Sequence, residues 1–185
     1  MTNEILQDAE TRMGKSLDSL KTDLSHIRTG KASVSLLDAI TVDYYGTPTP
    51  INQVANVSAP EPRLLTIQPW DKTIIAAIEK AIQKSDLGIN PNNDGTIIRL
   101  PLPQLTTETR NELAKQAHKK GEDAKVSVRN IRRDANDSIK KLEKNKEITA
   151  DEAKGAQDDV QKITDGTIVK IDKVVAEKEK DILNI

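Results

Sequence analysis

Residues 107–144 read TETRNELAKQAHKKGEDAKVSVRNIRRDANDSIKKLEK. Leu113, Ala117, Ala124, Val128, Ile131, Ala135, Ile139 and Leu142 recur at steps of three, four or seven, which is one face of a long amphipathic helix. No proline interrupts it. At ~1.5 Å per residue, a helix over Thr107 to Lys144 is on the order of 55 Å long. Gly121 stands on the apolar stripe where the period expects a core side chain, marking either a close helix contact or a slight bend.

Such a stripe needs partners to bury it. One lies on each side. Upstream, Leu6, Ala9, Met13, Leu17, Leu20, Leu24 and Ile27 make a near-heptad seam that predicts a helix ending near Thr29-Gly30, where glycine supplies the stop. Downstream, after a break at Asn145-Lys146-Glu147, Thr149-Ala150-Asp151-Glu152 is a capping-box pattern, with Ile148 placed as a staple. Ala156, Val160, Ile163, Thr167, Ile171, Val174 and Ile182 then form a third stripe. Three stripes predict an elongated antiparallel three-helix bundle, with a short loop only between the second and third helices.

Between the first and second stripes the texture changes. All eight prolines lie between Pro48 and Pro103. Ile40 to Tyr45, Val54 to Ala59, Leu64 to Gln68 and Thr96 to Leu100 read as strands. Asp71 can cap a helix carrying Ile74, Ile75, Ile78, Ala81 and Ile82, and Asn90 to Gly95 is a turn cluster. The fold class is therefore α+β. Residues 1–30 and 105–185 form the bundle, and residues 31–104 form a small inserted α/β domain. Segments 28–31 and 101–106 connect them. Thr29, Gly30, Pro101, Pro103, Gln104 and Thr106 are the candidate hinge residues, with Gly30 free to change φ.

Composition narrows the function. There are 28 Lys and Arg against 29 Asp and Glu, so a nucleic-acid role must come from local charge segregation rather than from net charge. Cysteine is absent, which excludes disulfides and thiolate chemistry and fits a reducing compartment. The N-terminus lacks the basic and apolar regions of a signal peptide, and no apolar run approaches the ~20 residues of a membrane span. These features predict a cytoplasmic protein. Aromatic residues are confined to Tyr44, Tyr45 and Trp70, too few for a base-stacking platform, so any RNA binding must work through phosphates and shape.

Signatures of catalysis are missing. There is no phosphate-cradling glycine loop, no nucleophile elbow and no metal-spaced histidine cluster; His26 and His118 are isolated. The expectation is a non-enzyme with no catalytic residue, no metal and no cofactor.

One segment is distinguished by charge. From Arg110 to Arg133, eight cations (Arg110, Lys115, Lys119, Lys120, Lys125, Arg129, Arg132, Arg133) face three acids. Helical neighbours lie three and four residues apart. On that spacing neither Arg129 nor Arg132 has an acidic partner on its own helix, whereas Arg133 can reach Asp137 and Lys125 can reach Glu122. Lys125, Arg129 and Arg132 share one side of the helix, about a quarter turn from the apolar stripe at ~100° per residue. Crowded like charges call for an external anion, and arginine suits phosphate because its fork binds bidentately. The alternative is pairing with carboxylates of the first or third helix. A helical interaction module that never touches RNA is the competing functional class, and the salt dependence of binding separates the two.

The sequence also resembles the ribosome-recycling factor family over its whole length. The resemblance rests on Ile27 to Ser33 followed by Leu36-Leu37-Asp38, on Asp43 to Gln53, on Pro69-Trp70-Asp71, Gly88 to Pro91 and Asn93 to Gly95, and on Gln157 to Lys162 with Thr164-Asp165. Its strongest block is Val128-Arg129-Asn130-Ile131-Arg132-Arg133-Asp134-Ala135. Two positions depart from the family pattern: Lys31 stands where arginine is usual, and Val34 where proline is common. The resemblance implies an L-shaped monomer of tRNA-like size, whose bundle contacts large-subunit ribosomal RNA. It implies that elongation factor G, with GTP, pushes on the smaller domain to separate the subunits. It further implies that Arg132 and Arg129 are the principal RNA contacts. Lys125, Arg133, Arg110, Arg28 and Lys31 complete the candidate set.

Overall fold

The structure is a computed structural model that describes residues 1–184. The chain divides into two compact units. One comprises Met1–Leu24 and Lys115–Lys180; the other comprises Ser25–Ala114 and the residues from Asp181 onward. The helical and sheet-containing parts together give the expected α+β class.

The helical unit is built on α1 (Thr2–Ser25), α3 (Thr107–Lys144) and α4 (Ala150–Leu183). Ala9, Met13, Leu17, Leu20 and Leu24 of α1 are buried. So are Ala117, Gly121, Ala124, Val128, Ile131, Ala135 and Ile139 of α3. Full burial of side chains such as Val128 and Ile139 stabilises by about 1.5–3 kcal/mol each. Thr149 caps α4 as the capping box requires: its Oγ1 accepts from the Glu152 amide at 3.2 Å, and Glu152 Oε2 accepts from the Thr149 amide at 2.8 Å. The Thr149 amide and the Thr149 hydroxyl, which also donates to Glu152 Oε2 at 3.0 Å, hold the Glu152 carboxyl below its ordinary range.

Two expectations need correction here. The first helix ends at Ser25 rather than near Gly30. The Ser25 carbonyl accepts a hydrogen bond from Ser35 Oγ at 3.2 Å, so the last turn is closed by a residue ten positions on rather than by glycine. On α4, the buried positions are Ala153, Ala156, Val160, Thr164, Ile171, Val175 and Ile182, while Ile163, Thr167 and Val174 are half-buried. After Val160 the seam takes a second step of four, to Thr164, and another from Ile171 to Val175, so Thr164 and Val175 replace Ile163 and Val174 on it. Thr164 meets burial by donating its hydroxyl to the Val160 carbonyl at 2.8 Å.

The sheet unit holds two antiparallel sheets among the described residues. β1 (Thr41–Tyr44) and β2 (Thr47–Pro50) form a hairpin. β3 (Ala55–Glu61), β4 (Leu64–Pro69), β6 (Ile98–Pro101) and β5 (Asn92–Asn93) form a sheet in the order β3-β4-β6-β5. β2 was not legible as a strand because Pro48 and Pro50 cannot donate to a ladder. It survives at the outer edge of the hairpin, with Tyr45 and Gly46 at φ 50° and 84° in the turn. β6 begins at Ile98 rather than Thr96, because Asp94 Oδ1 accepts from the Thr96 and Ile97 amides at 2.9 Å and keeps them in the turn.

Leu65, Ile67, Ile98 and Leu100 alternate inward from the sheet, and Ile75, Ile78 and Ile82 of α2 (Ile75–Lys84) complete the same core. A 3₁₀ turn, Lys72–Ile74, leads into α2, and Asp71 caps it by accepting from the Thr73 amide.

Candidate nucleic-acid interface

α3 positions the basic residues. Val128 and Ile131 are buried, which fixes the rotation of the helix about its axis. Arg129 and Arg133 are thereby exposed, and Arg132 is half-buried. Among the described residues, no carboxylate pairs with any of these three guanidinium groups.

None of the acids near them in sequence or register pairs with them among the described residues. Asp134, within the same block, accepts from Arg12 Nη2 of α1 at 3.0 Å. Asp137, one turn beyond Arg133, makes no ion pair among the described residues. α3 and α4 run antiparallel, since His118, Gly121 and Lys125 face Glu179, Val175 and Asp172 in turn. Two turns farther along, that register brings Asp165 level with Arg132. Asp165 instead accepts from Gln161 of its own helix at 2.8 Å. Three cationic groups therefore stand on neighbouring turns with no carboxylate paired to them among the described residues. An external polyanion is the natural complement of such a surface.

Lys125 is different. Its Nζ lies 2.6 Å from Asp172 of α4 and 3.2 Å from Glu122, and its side chain is only 15% exposed. The hydrogen bond to Asp172 raises its pKa most, with a further contribution from Glu122 and opposition from desolvation. Pairing with a neighbouring helix, the alternative to phosphate binding, is what the structure places at this position. Lys125 is engaged inside the helical unit, while Arg129, Arg132 and Arg133 are open.

The other three candidate cations belong to the sheet-containing unit. Arg28 is half-buried, and its Nη1 donates to the Leu87 carbonyl at 3.1 Å, which anchors it to the loop after α2. Arg110, in the first turns of α3, is half-buried and its Nε is enclosed without a hydrogen-bond partner. Lys31 is exposed.

The candidate hinge residues have several local roles. Gly30 has φ 83°, a left-handed conformation that favours glycine. Thr29 Oγ1 accepts from the Lys31 amide at 3.4 Å. Pro101 closes β6 opposite Leu64 and is part of the sheet. Pro103 and Gln104 are exposed between β6 and α3. Thr106 caps α3, its Oγ1 accepting from the Thr109 amide at 3.1 Å.

Two residues beside the basic surface were not singled out by sequence. Asp172 pairs with the Lys125 ammonium, and no local pattern announces a partner on another helix. Asn136 lies one turn beyond Arg132, and its Oδ1 is enclosed without a hydrogen-bond partner. Its spacing of four from Arg132 was the available signal. Among the described residues, no group of three or more His, Cys, Asp or Glu side chains could hold a metal ion. No helix there is long and apolar enough to cross a membrane.

Comparison with known proteins supplies an independent line. The family model described as ribosome recycling factor matches residues 20–183. The ribosome-recycling factor of Brevibacillus brevis is 58% identical over 185 residues, covering 100% of both chains. That of Natranaerobius thermophilus is 60% identical over 180 residues, covering 97% of this chain and 98% of its own. Among solved structures, a solution structure of the ribosome recycling factor aligns with TM-score 0.82 at 41% identity, over 100% of this chain and 98% of that one. A further match, with TM-score 0.69 and 43% identity over 99% of both chains, comes from models for the T. thermophilus ribosome recycling factor and the E. coli elongation factor G bound to the E. coli post-termination complex.

Proposed function

The chain belongs to the ribosome recycling factor family, and from that premise we propose that it binds the post-termination ribosome and, with elongation factor G and GTP, separates the subunits for reuse. In this reading the protein acts in the cytoplasm as a monomer and performs no bond chemistry. The energy comes from GTP hydrolysis by its partner. Its own contribution is a shaped, charged surface.

The observation that carries the reading is the pair Arg129 and Arg132. They lie on adjacent turns of α3 without a carboxylate partner among the described residues. Their complement is the phosphate backbone of large-subunit ribosomal RNA, with Arg133 as an accessory contact. Arg28, Lys31 and Arg110 are weaker members of the same set. Arg28 already donates to Leu87, and Lys31 offers a point charge in place of a bidentate fork. Scarce aromatics agree with recognition through phosphates and shape.

The test is light scattering of post-termination ribosomes mixed with this protein, elongation factor G and GTP. Scattering falls as subunits part. No fall with all three components present would overturn the proposal.

A further inference from the structure

Trp70 is the single tryptophan of the chain, and it is 70% exposed. Tryptophan is highly buried on average, so an indole left in solvent calls for an explanation. It borders a groove of about 240 Å³ within the sheet unit. Leu37 and Val57 give the groove an apolar surface, Asn52 and Asn56 give it amides, and Asp38 is its one ionisable lining residue among those described. The Asp38 side chain makes no ion pair or hydrogen bond among the described residues; only its backbone amide is engaged, with the Ser35 carbonyl. No lysine or arginine lines the groove among the described residues.

We infer that the groove beside Trp70 is a docking site for an arginine side chain presented by a protein partner. The chemistry of the lining selects that guest. A guanidinium stacks on an indole face and is attracted by its quadrupole. Its N–H fork suits a carboxylate, here the unpaired Asp38, and the amide oxygens of Asn52 and Asn56 accept further donors. Its methylene stem suits Leu37 and Val57. A nucleobase would also stack on Trp70, but its phosphates would approach the Asp38 carboxylate with no cation in the lining to offset it. The volume lies below the about 300–1,000 Å³ typical of small-molecule pockets and fits one side chain. The site uses none of the cations of α3, so it stands apart from the ribosomal-RNA reading.

The experiment titrates the full-length protein with the peptide acetyl-Gly-Arg-Gly-amide. Two readouts are followed: Trp70 fluorescence and the amide shifts of Asn52, Asn56 and Val57. Saturable changes at these positions are expected. Replacing arginine by uncharged citrulline in the peptide, or Asp38→Asn in the protein, should each weaken binding about fivefold. Absence of any change in Trp70 fluorescence and in all three amide shifts overturns the inference, as does equal binding of the citrulline peptide. Preferential saturation by uridine monophosphate would also overturn it, in favour of a nucleotide site. No ribosome is present in the titration, so its failure leaves the proposed function untouched. Failure of subunit splitting likewise leaves the groove untouched.

Discussion

A Cβ built on Gly121 of α3 would lie 2.5 Å from Cγ2 of Val175 on α4. Of the two meanings of that glycine, close helix contact is the one the structure displays. Val175 is buried and β-branched, and valine keeps one strongly preferred rotamer in a helix, so its methyl cannot easily swing aside. Gly121→Ala should therefore destabilise the protein by about 1 kcal/mol. Overpacking costs ~1–3 kcal/mol, and the better helix propensity of alanine returns ~1 kcal/mol. Adding Val175→Ala should relieve the clash, which a double-mutant cycle in urea would show as a favourable coupling between the two changes. Strict additivity would mean that the helices do not meet at this point.

Arg132→Ala should leave the urea midpoint nearly unchanged, because Arg132 has no charged partner among the described residues to lose. It should weaken binding to the large subunit by roughly 1–3 kcal/mol, the scale of a charged hydrogen bond left unmade. Arg129→Ala should behave alike. Each substitution should also flatten the salt dependence of binding by about one phosphate contact. Full affinity in both variants would remove the α3 surface from consideration.

Lys125→Ala should show the opposite division. Its ammonium is held by Asp172 and Glu122, so its removal should lower stability by roughly 0.5–1 kcal/mol, within the range for partly exposed pairs plus lost packing of the stem. Ribosome affinity should fall less than in Arg132→Ala. Because the folded-state pKa is raised, this contribution is full below the unfolded lysine value of about 10.5. It is lost as pH rises through the folded value. Side-by-side urea curves and binding isotherms for the two variants would expose an exchange of these roles.

Asp94 predicts an acid limb. Backbone hydrogen bonds from Ile97 and Thr96, then the bond from Arg99, lower its pKa from 3.8 to about 2. A carboxylate with a depressed folded pKa stabilises above its unfolded value, and the benefit disappears as pH falls through the folded value. Asp94→Ala should be less stable than the parent at pH 7, and the gap should narrow between pH 4 and pH 2. Urea midpoints across that window would measure it, and a gap constant with pH would detach the effect from titration.

Sequence periodicity carried much of the fold. The α3 stripe runs from Leu113 to Leu142 inside a helix expected over roughly Thr107 to Lys144, where the structure has it, and Thr149 with Glu152 announced the start of α4 through contacts only three residues apart. Local chemistry failed where a distant group intervened. Ser35 ends α1 by taking the Ser25 carbonyl, and β2 exists because β1 supplies a ladder that its prolines could not suggest. The basic surface was half legible. The absence of acids at helical spacing from Arg129 and Arg132 is a property of one helix, and it persisted when other helices packed around it.

By itself, the sequence determined which residues face inward on α3 and which cations lack a partner on their own helix, because both follow from a repeat of 3.6 residues. The tertiary structure alone decided which cations stay open. The antiparallel register of α3 against α4 sets Asp172 beside Lys125 and withdraws that charge, while no carboxylate of another helix pairs with Arg129 or Arg132 among the described residues. Coulomb pairing acts over a few ångströms in space regardless of separation along the chain, so side chains from remote segments meet only once the helices have packed.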